Sequence, residues 1–278
     1  KRVRITACLV EGMSVRATGR ICGVAFNTVL SFVPTIGRVC SEYQDKVFRN
    51  LPCKRIQCDE VWAFCYAKAK NVPEEKRDIF GFGDVWTWTG LCADTKLVPC
   101  WFLGNRDAGS AFHFMHDLKS RLAHRVQLTT DGHTSYLSAV ESAFGCEIDF
   151  AQLVKIYGET PNQSPEARYS PGQCMGSRKA VVSGEPEAGH ISTSFVERSN
   201  LTIRMGNRRF TRLTNAFSKK IENHEHALAL FFMHYNFCRI HQTIRCTPAM
   251  AAGVSDHVWE LSEVVGLLDA DKQASAAA

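Results

Sequence analysis

At 278 residues, 45% hydrophobic and 22% charged, the chain is long enough to bury a large core and to carry a small second domain. No apolar stretch approaches the roughly 18 residues that span a bilayer, and the apolar run in the opening KRVRITACLVEG is too short for a secretion signal, so a cytoplasmic protein with no membrane partner is expected. The net charge of +5 is mild, and the twelve cysteines are scattered through apolar segments without a C-x-x-C pair, as expected of reduced core residues rather than of a zinc ribbon or a redox pair.

In chain order, residues 4–40 read as three short helices with helix-turn-helix spacing. Gly12 and Ser14 break the first helix and cap the second, and Gly23-Val24 makes the tight turn. Asn27 and Thr28, near the start of the third helix, would then enter the major groove, with Arg16 and Arg20 on the preceding helix as further DNA contacts. An ordinary three-helix bundle that touches nothing is the alternative. Ala25 and Phe26 are poor groups for reading bases or phosphates, and Pro34 is expected to kink or end the third helix. These observations divide the chain into a DNA-binding domain over 1–40 and a connector over 41–54.

From Arg55 the pattern changes to strands. RIQCDEVWAFCYAK is apolar with little alternation, as in a central strand covered on both faces, and Asp59 sits in its middle. DVWTWTGLCAD and KLVPCWFLG follow as a hairpin, and Pro99 sends the second of them to the sheet edge. SAFHFMHDLKSRLA is an amphipathic helix, RVQLTT a strand ending on Asp131, YLSAVESAFG a helix and EIDFAQLVKIY a fifth strand. Residues 158–192, rich in Gly, Pro, Ser and Gln, read as a long insertion. Helices resume at STSFVERSNLTIRM and AFSKKIENHEHALALFFMHYNFCRIH, and Thr247-Pro248 caps a short one. A last helix, HVWELSEVVGLLD, precedes a tail from Ala270 with nothing to bury.

This order, β-β-β-α-β-α-β-α, predicts an α/β fold: a ribonuclease H-like domain over 55–240, with a mixed five-stranded sheet and flanking helices, followed by C-terminal helices and tail over 241–278. In such a sheet the first and fourth strands are neighbours. Asp59 and Asp131 would therefore meet although 71 residues separate them, and two buried acids repel unless a cation or proton lies between them. Asp131-Gly132 on its own is equally ordinary turn chemistry. Glu197, in STSFVERSN, likewise has two readings: with Ser194 it matches a capping box, yet its helix must pack beside the Asp59 and Asp131 strands, with Asn200 one turn later on the same face.

Three carboxylates suit two Mg²⁺ ions, about 3.5–4 Å apart, that drive an in-line phosphoryl transfer. Mn²⁺ is a possible substitute. Glu60 is expected to point to the opposite side of its strand from Asp59, while His133 stands out by following Asp131 so closely. From Arg198 to Lys220 there are seven basic residues and no acid, which suits either a solvated face or a polyanion.

The set CDEVWAF, TTDGHTSY and above all HISTSFVERSNLTIRMGNRRFTRLTNAFSKKIENH resembles the insertion-sequence-one type of bacterial DDE transposase, and YNFCRIHQTIRCTPAMAAGV extends the resemblance. The resemblance implies Mg²⁺-dependent cleavage at inverted-repeat ends and joining to target DNA. It implies Asp59, Asp131 and Glu197 as the catalytic, metal-binding triad, with Asn200, Arg204, Arg208, Arg209 and Arg212 near DNA. Because two ends are joined in one event, a homo-oligomer is expected. A non-catalytic DNA-binding relative and a structure-selective nuclease of the same fold are the competing functions.

Overall fold

The computed structural model describes residues 1–158, 174–211 and 214–277. Helix α1 (Arg2–Val10) gives way to a turn at Gly12, whose φ of +74° favours glycine. The Ser14 hydroxyl then accepts the Ala17 amide at 3.1 Å and caps α2 (Val15–Cys22), which Gly23 ends in the left-handed region. Helix α3 (Phe26–Val47) leaves at 112° to α2.

Two expectations about α3 need correction. Pro34 does not end it, and residues 41–47, expected in a connector, are helical. An interior proline costs about 3 kcal/mol. Here Val29, Val33, Ile36, Val39 and Cys40 are all buried on both sides of it, and each such side chain contributes about 1.5–3 kcal/mol, so packing outweighs the lost hydrogen bond.

The sheet contains β1 (Arg55–Cys65), β2 (Gly83–Cys92), β3 (Cys100–Gly104), β4 (Val126–Asp131), β5 (Ile148–Tyr157) and β6 (Cys174–Ser183) in the order β3-β2-β1-β4-β5-β6. β1 runs antiparallel to β2 and parallel to β4; β4 is parallel to β5. The expected five strands are therefore six, because β6 forms inside the stretch expected to be an insertion and pairs antiparallel with β5. Nearly every residue of β6 is exposed on both faces, so it carries no apolar alternation from which to recognise it. The rest of that insertion between 159 and 173 lies outside the described residues.

Side-chain parity along β1 divides the core. Ile56 and Cys58 join Trp88, Phe114, Leu128 and Phe150 beneath α4 (Ala108–Arg121) and α5 (Ser135–Phe144). Val61 and Ala63 face Val196 and Ile203 of α6 (Ser194–Gly206) and Leu228 and Phe232 of α7 (Ile221–Met233). Strand β3 lies at the edge directly after Pro99. The main chain before it is satisfied by Asn236, in the widened turn His234–Cys238, whose carboxamide bonds both the amide and the carbonyl of Val98 at 3.0 Å.

Thr247 caps α8 (Pro248–Ala251), and α9 (Leu261–Ala277) runs through the expected tail, where Asp271 pairs with Arg38 at 2.6 Å. No single described helix is long and apolar enough to cross a membrane. Eight of the twelve cysteines are buried and none is bridged.

Candidate metal centre

The β1–β4 ladder ends at Cys58 and Thr130, so the next residue of each strand, Asp59 and Asp131, stands beside the other where the ladder opens. Strand β4 stops at Asp131. Around that opening one oxygen each from Asp59, Glu60 and Asp131 lies within 4.8 Å of the others. Strand alternation predicts Glu60 on the far side. It does start there, against Tyr136 and the α4–α5 face, but beyond the end of β4 no strand separates the two sides, and its carboxylate joins the group.

Burial, then the charges of Glu60 and Asp131, push the Asp59 carboxyl up to about 7. Burial and the Asp131 charge push Glu60 up to about 7 as well. The centre therefore stores repulsion between acids that a cation would relieve. Arg106 supplies part of the relief from the rim: its guanidinium, 5.0 Å from the Trp86 ring centroid, reaches Glu60 at 3.1 Å and Asp131 at 3.5 Å.

Helix α6 is fastened to β1 at two points on one strand face. The Gln57 carboxamide oxygen accepts the amides of Phe195 and Val196 at 2.9 and 3.1 Å, and the Asn200 Nδ2 donates to Asp59 Oδ2 at 2.7 Å. Glu197 lies between these anchors, and its charge is felt at Asp59. Its carboxylate accepts from the Thr193 hydroxyl and pairs with Lys155 of β5 at 2.6 Å. The capping box is not formed: Thr193 occupies the N-cap position, and the Ser194 amide bonds the Ser192 hydroxyl.

The donors that converge are all oxygens, the set preferred by Mg²⁺ and Mn²⁺. Asn200 Oδ1 is buried at the centre without a hydrogen-bond partner, and a divalent ion or its water would satisfy it, while the buried Glu60 carboxylate has the Tyr136 hydroxyl beside it. Asp59, Glu60 and Asp131 are thus placed to hold a first ion, with Glu197 at the side of Asp59.

Strand alternation places Glu60 on the face where it does start, but gives no sign that its carboxylate rejoins Asp59 and Asp131, and it passes over Gln57. The signal for Gln57 was its position two residues before Asp59, on the same strand face. His133 is a turn element: its Nδ1 accepts the Ser135 amide at 3.0 Å, which leaves the ring proton on Nε2.

The residues expected near DNA are distributed unevenly. Arg16, Arg20, Asn27 and Thr28 are exposed on α2 and the start of α3, with the Arg16 guanidinium 5.1 Å from the Phe26 ring centroid. Asn200 is buried against Asp59, and Arg204 is half-buried on α6. Arg208 shares the lining of a small cavity with Leu9, Val10 and Met13, and Arg209 is turned inward near Cys65 and His224, where burial lowers its pKa to about 10. The run is therefore not one continuous surface stripe along its length. Arg212 lies outside the described residues.

No family model matches the chain, and no curated protein matches it. Among solved structures, the piggyBac transposase in a synaptic complex with hairpin DNA is similar over 96% of this chain and 69% of its own, at 10% identity and a TM-score of 0.40.

Proposed function

We propose that the protein is a DDE-type DNA transposase of the insertion-sequence-one kind, with a ribonuclease H-like catalytic domain and a helix-turn-helix domain over residues 1–40. The observation that carries this reading is the meeting of Asp59, mid-strand on β1, with Asp131, the last residue of the parallel neighbour β4, beneath the helix that bears Glu197. The strand order β3-β2-β1-β4-β5 is the one expected of a ribonuclease H-like sheet, and the 112° turn between α2 and α3 suits a helix-turn-helix.

Bound Mg²⁺ or Mn²⁺ would supply charge stabilisation for in-line displacement at a DNA phosphate. Asp59, Asp131 and Glu60 would hold one ion, and Glu197, steered by the Gln57 and Asn200 anchors, would complete a second position shared with Asp59. Asn27 and Thr28 would enter the major groove, with Arg16 and Arg20 beside them on phosphates. Arg204, Arg208 and Arg212 would meet DNA as well. Cutting and joining two transposon ends in one event requires at least two copies of the chain.

The test begins by recovering preferred duplexes from a randomised pool. A labelled preferred duplex is then incubated with a target plasmid and Mg²⁺ or Mn²⁺, comparing the wild type with Asp131→Asn. Label joined to plasmid by the wild type and not by the variant is the expected result. Cleavage without joining would make the protein a nuclease. Binding with neither reaction, in both proteins, would leave a non-catalytic DNA-binding protein.

A further inference from the structure

Four carboxylates gather at the centre, and their internal counter-charges are divided. Arg106 approaches Glu60 and Asp131 from the rim, and the Tyr136 hydroxyl faces Glu60 from the α4–α5 side. Glu197 is engaged at both oxygens by groups outside that set: Oε2 pairs with the Lys155 ammonium at 2.6 Å, and Oε1 accepts the Thr193 hydroxyl. In the β4–β5 ladder Asp131 is opposite Leu153, so Lys155, two residues further, emerges from the same strand face just beyond the end of β4. The Lys155 charge also acts with that of Asp59. A strand thus delivers a cation to the one acid of the four that stands outside the close cluster.

We propose that Lys155 is a positioning residue that holds Glu197 in place of a divalent cation, and that it exchanges partners when DNA and metal arrive together. Glu197 then turns to the metal, and the ammonium turns to a DNA phosphate. This rests on the metal-dependent reading of the carboxylate centre. The exchange is feasible because a half-exposed ion pair contributes only about 0–1 kcal/mol and is readily traded for a partner of equal sign. The four-carbon stem of lysine lets the charge swing without moving β5. The metal-only protein therefore loads the Asp59–Glu60–Asp131 position first, while the Glu197 position stays weak until DNA withdraws the ammonium.

The experiment is a Mn²⁺ titration of the full chain by calorimetry, on the wild type, Lys155→Met, Glu197→Gln and the double variant, with Lys155→Arg as the charge-keeping comparison. Lys155→Met should tighten the weaker Mn²⁺ event roughly three- to fivefold, the worth of one half-exposed ion pair. It should do nothing in the Glu197→Gln background, and Lys155→Arg should stay near the wild type. With Mn²⁺ and a short duplex present, Lys155→Met should weaken DNA binding and lower its salt slope by about 1.

Equal tightening in both backgrounds would overturn the proposal, since Lys155 would then act only as a distant positive charge. Wild-type binding left unaltered by Lys155→Met would overturn it too. Absence of Mn²⁺ binding in the wild type itself would remove the carboxylate centre, and the proposal with it, and is told apart by the first titration alone.

Discussion

Asn200 and Asp59 are joined by a 2.7 Å hydrogen bond across 141 positions of sequence. Two residues before Asp59 on the same strand, Gln57 accepts two amides at the start of the Asn200 helix. One face of β1 therefore fixes both the height and the rotation of α6, and with them the place of Glu197. Mutations on this face separate catalytic geometry from fold.

Gln57→Leu retains the volume and the burial but leaves the Phe195 and Val196 amides without an acceptor. The expected loss is about 1–3 kcal/mol of stability, the cost of unsatisfied buried donors. Activity should fall further than stability accounts for, because Glu197 follows directly. Denaturant melts alongside strand-transfer rates check this; equal activity per folded molecule would show that Gln57 does not position Glu197.

Asp59→Asn should raise the thermal midpoint of the metal-free protein. Asp59 is crowded by Glu60 and Asp131 in a buried setting, and an amide removes that repulsion: its oxygen keeps the Glu60 main-chain amide, and its NH₂ donates to the unpartnered Asn200 Oδ1 once that carboxamide turns over. The same substitution should abolish the rise in midpoint that Mn²⁺ gives the wild type, and cost about 4 kcal/mol, or a thousandfold, in rate. Melting scans in chelator and in Mn²⁺ read both effects at once. A lower metal-free midpoint in the variant would contradict the repulsion.

Gly37→Ala tests the crossing of α3 and α7. By helix propensity alone the change would stabilise by about 1 kcal/mol. A Cβ at Gly37 would, however, overlap the Cβ and main-chain oxygen of His226, and a backbone atom cannot swing aside. Overpacking of this kind costs about 1–3 kcal/mol or more, so the clash wins and the variant is expected to be less stable in urea.

His224 makes stability depend on pH. It is fully buried with Nδ1 on the Ser218 hydroxyl and Nε2 unpartnered, and burial, helped by the nearby Arg209 charge, lowers its pKa to about 3. The unfolded state, titrating near 6.5, binds the proton first. Stability from this group is thus present above about pH 6.5 and is lost as pH falls towards 3, on the order of 1 kcal/mol per pH unit. The difference between wild-type and His224→Leu stabilities, measured from pH 7 to pH 4, should shrink in that direction; a constant difference would deny the linkage.

Much of this architecture was legible from local pattern. The strands around Asp59 and Asp131 announced themselves by unbroken apolar runs, and Ser14, Gly23, Gly145 and Thr247 marked their turns or caps, because such signals depend only on neighbours in the chain. β6 escaped because a strand exposed on both faces draws its order from the β5 ladder and leaves no hydrophobic period. Pro34 misled because its cost is local while the burial that outweighs it is not.

The candidate site divides along the same line. The chain's letters name the residues that carry charge, and their spacing points Asp59 and Asp131 to neighbouring strands. That Glu60 turns into the same opening, that Arg209 faces inward and that Lys155 meets Glu197 came only with packing. The physical reason is that a carboxylate or guanidinium has the same letter in the chain whether water or another charge surrounds it. Burial and partners, which set its energy and its chemistry, exist only once distant segments have packed.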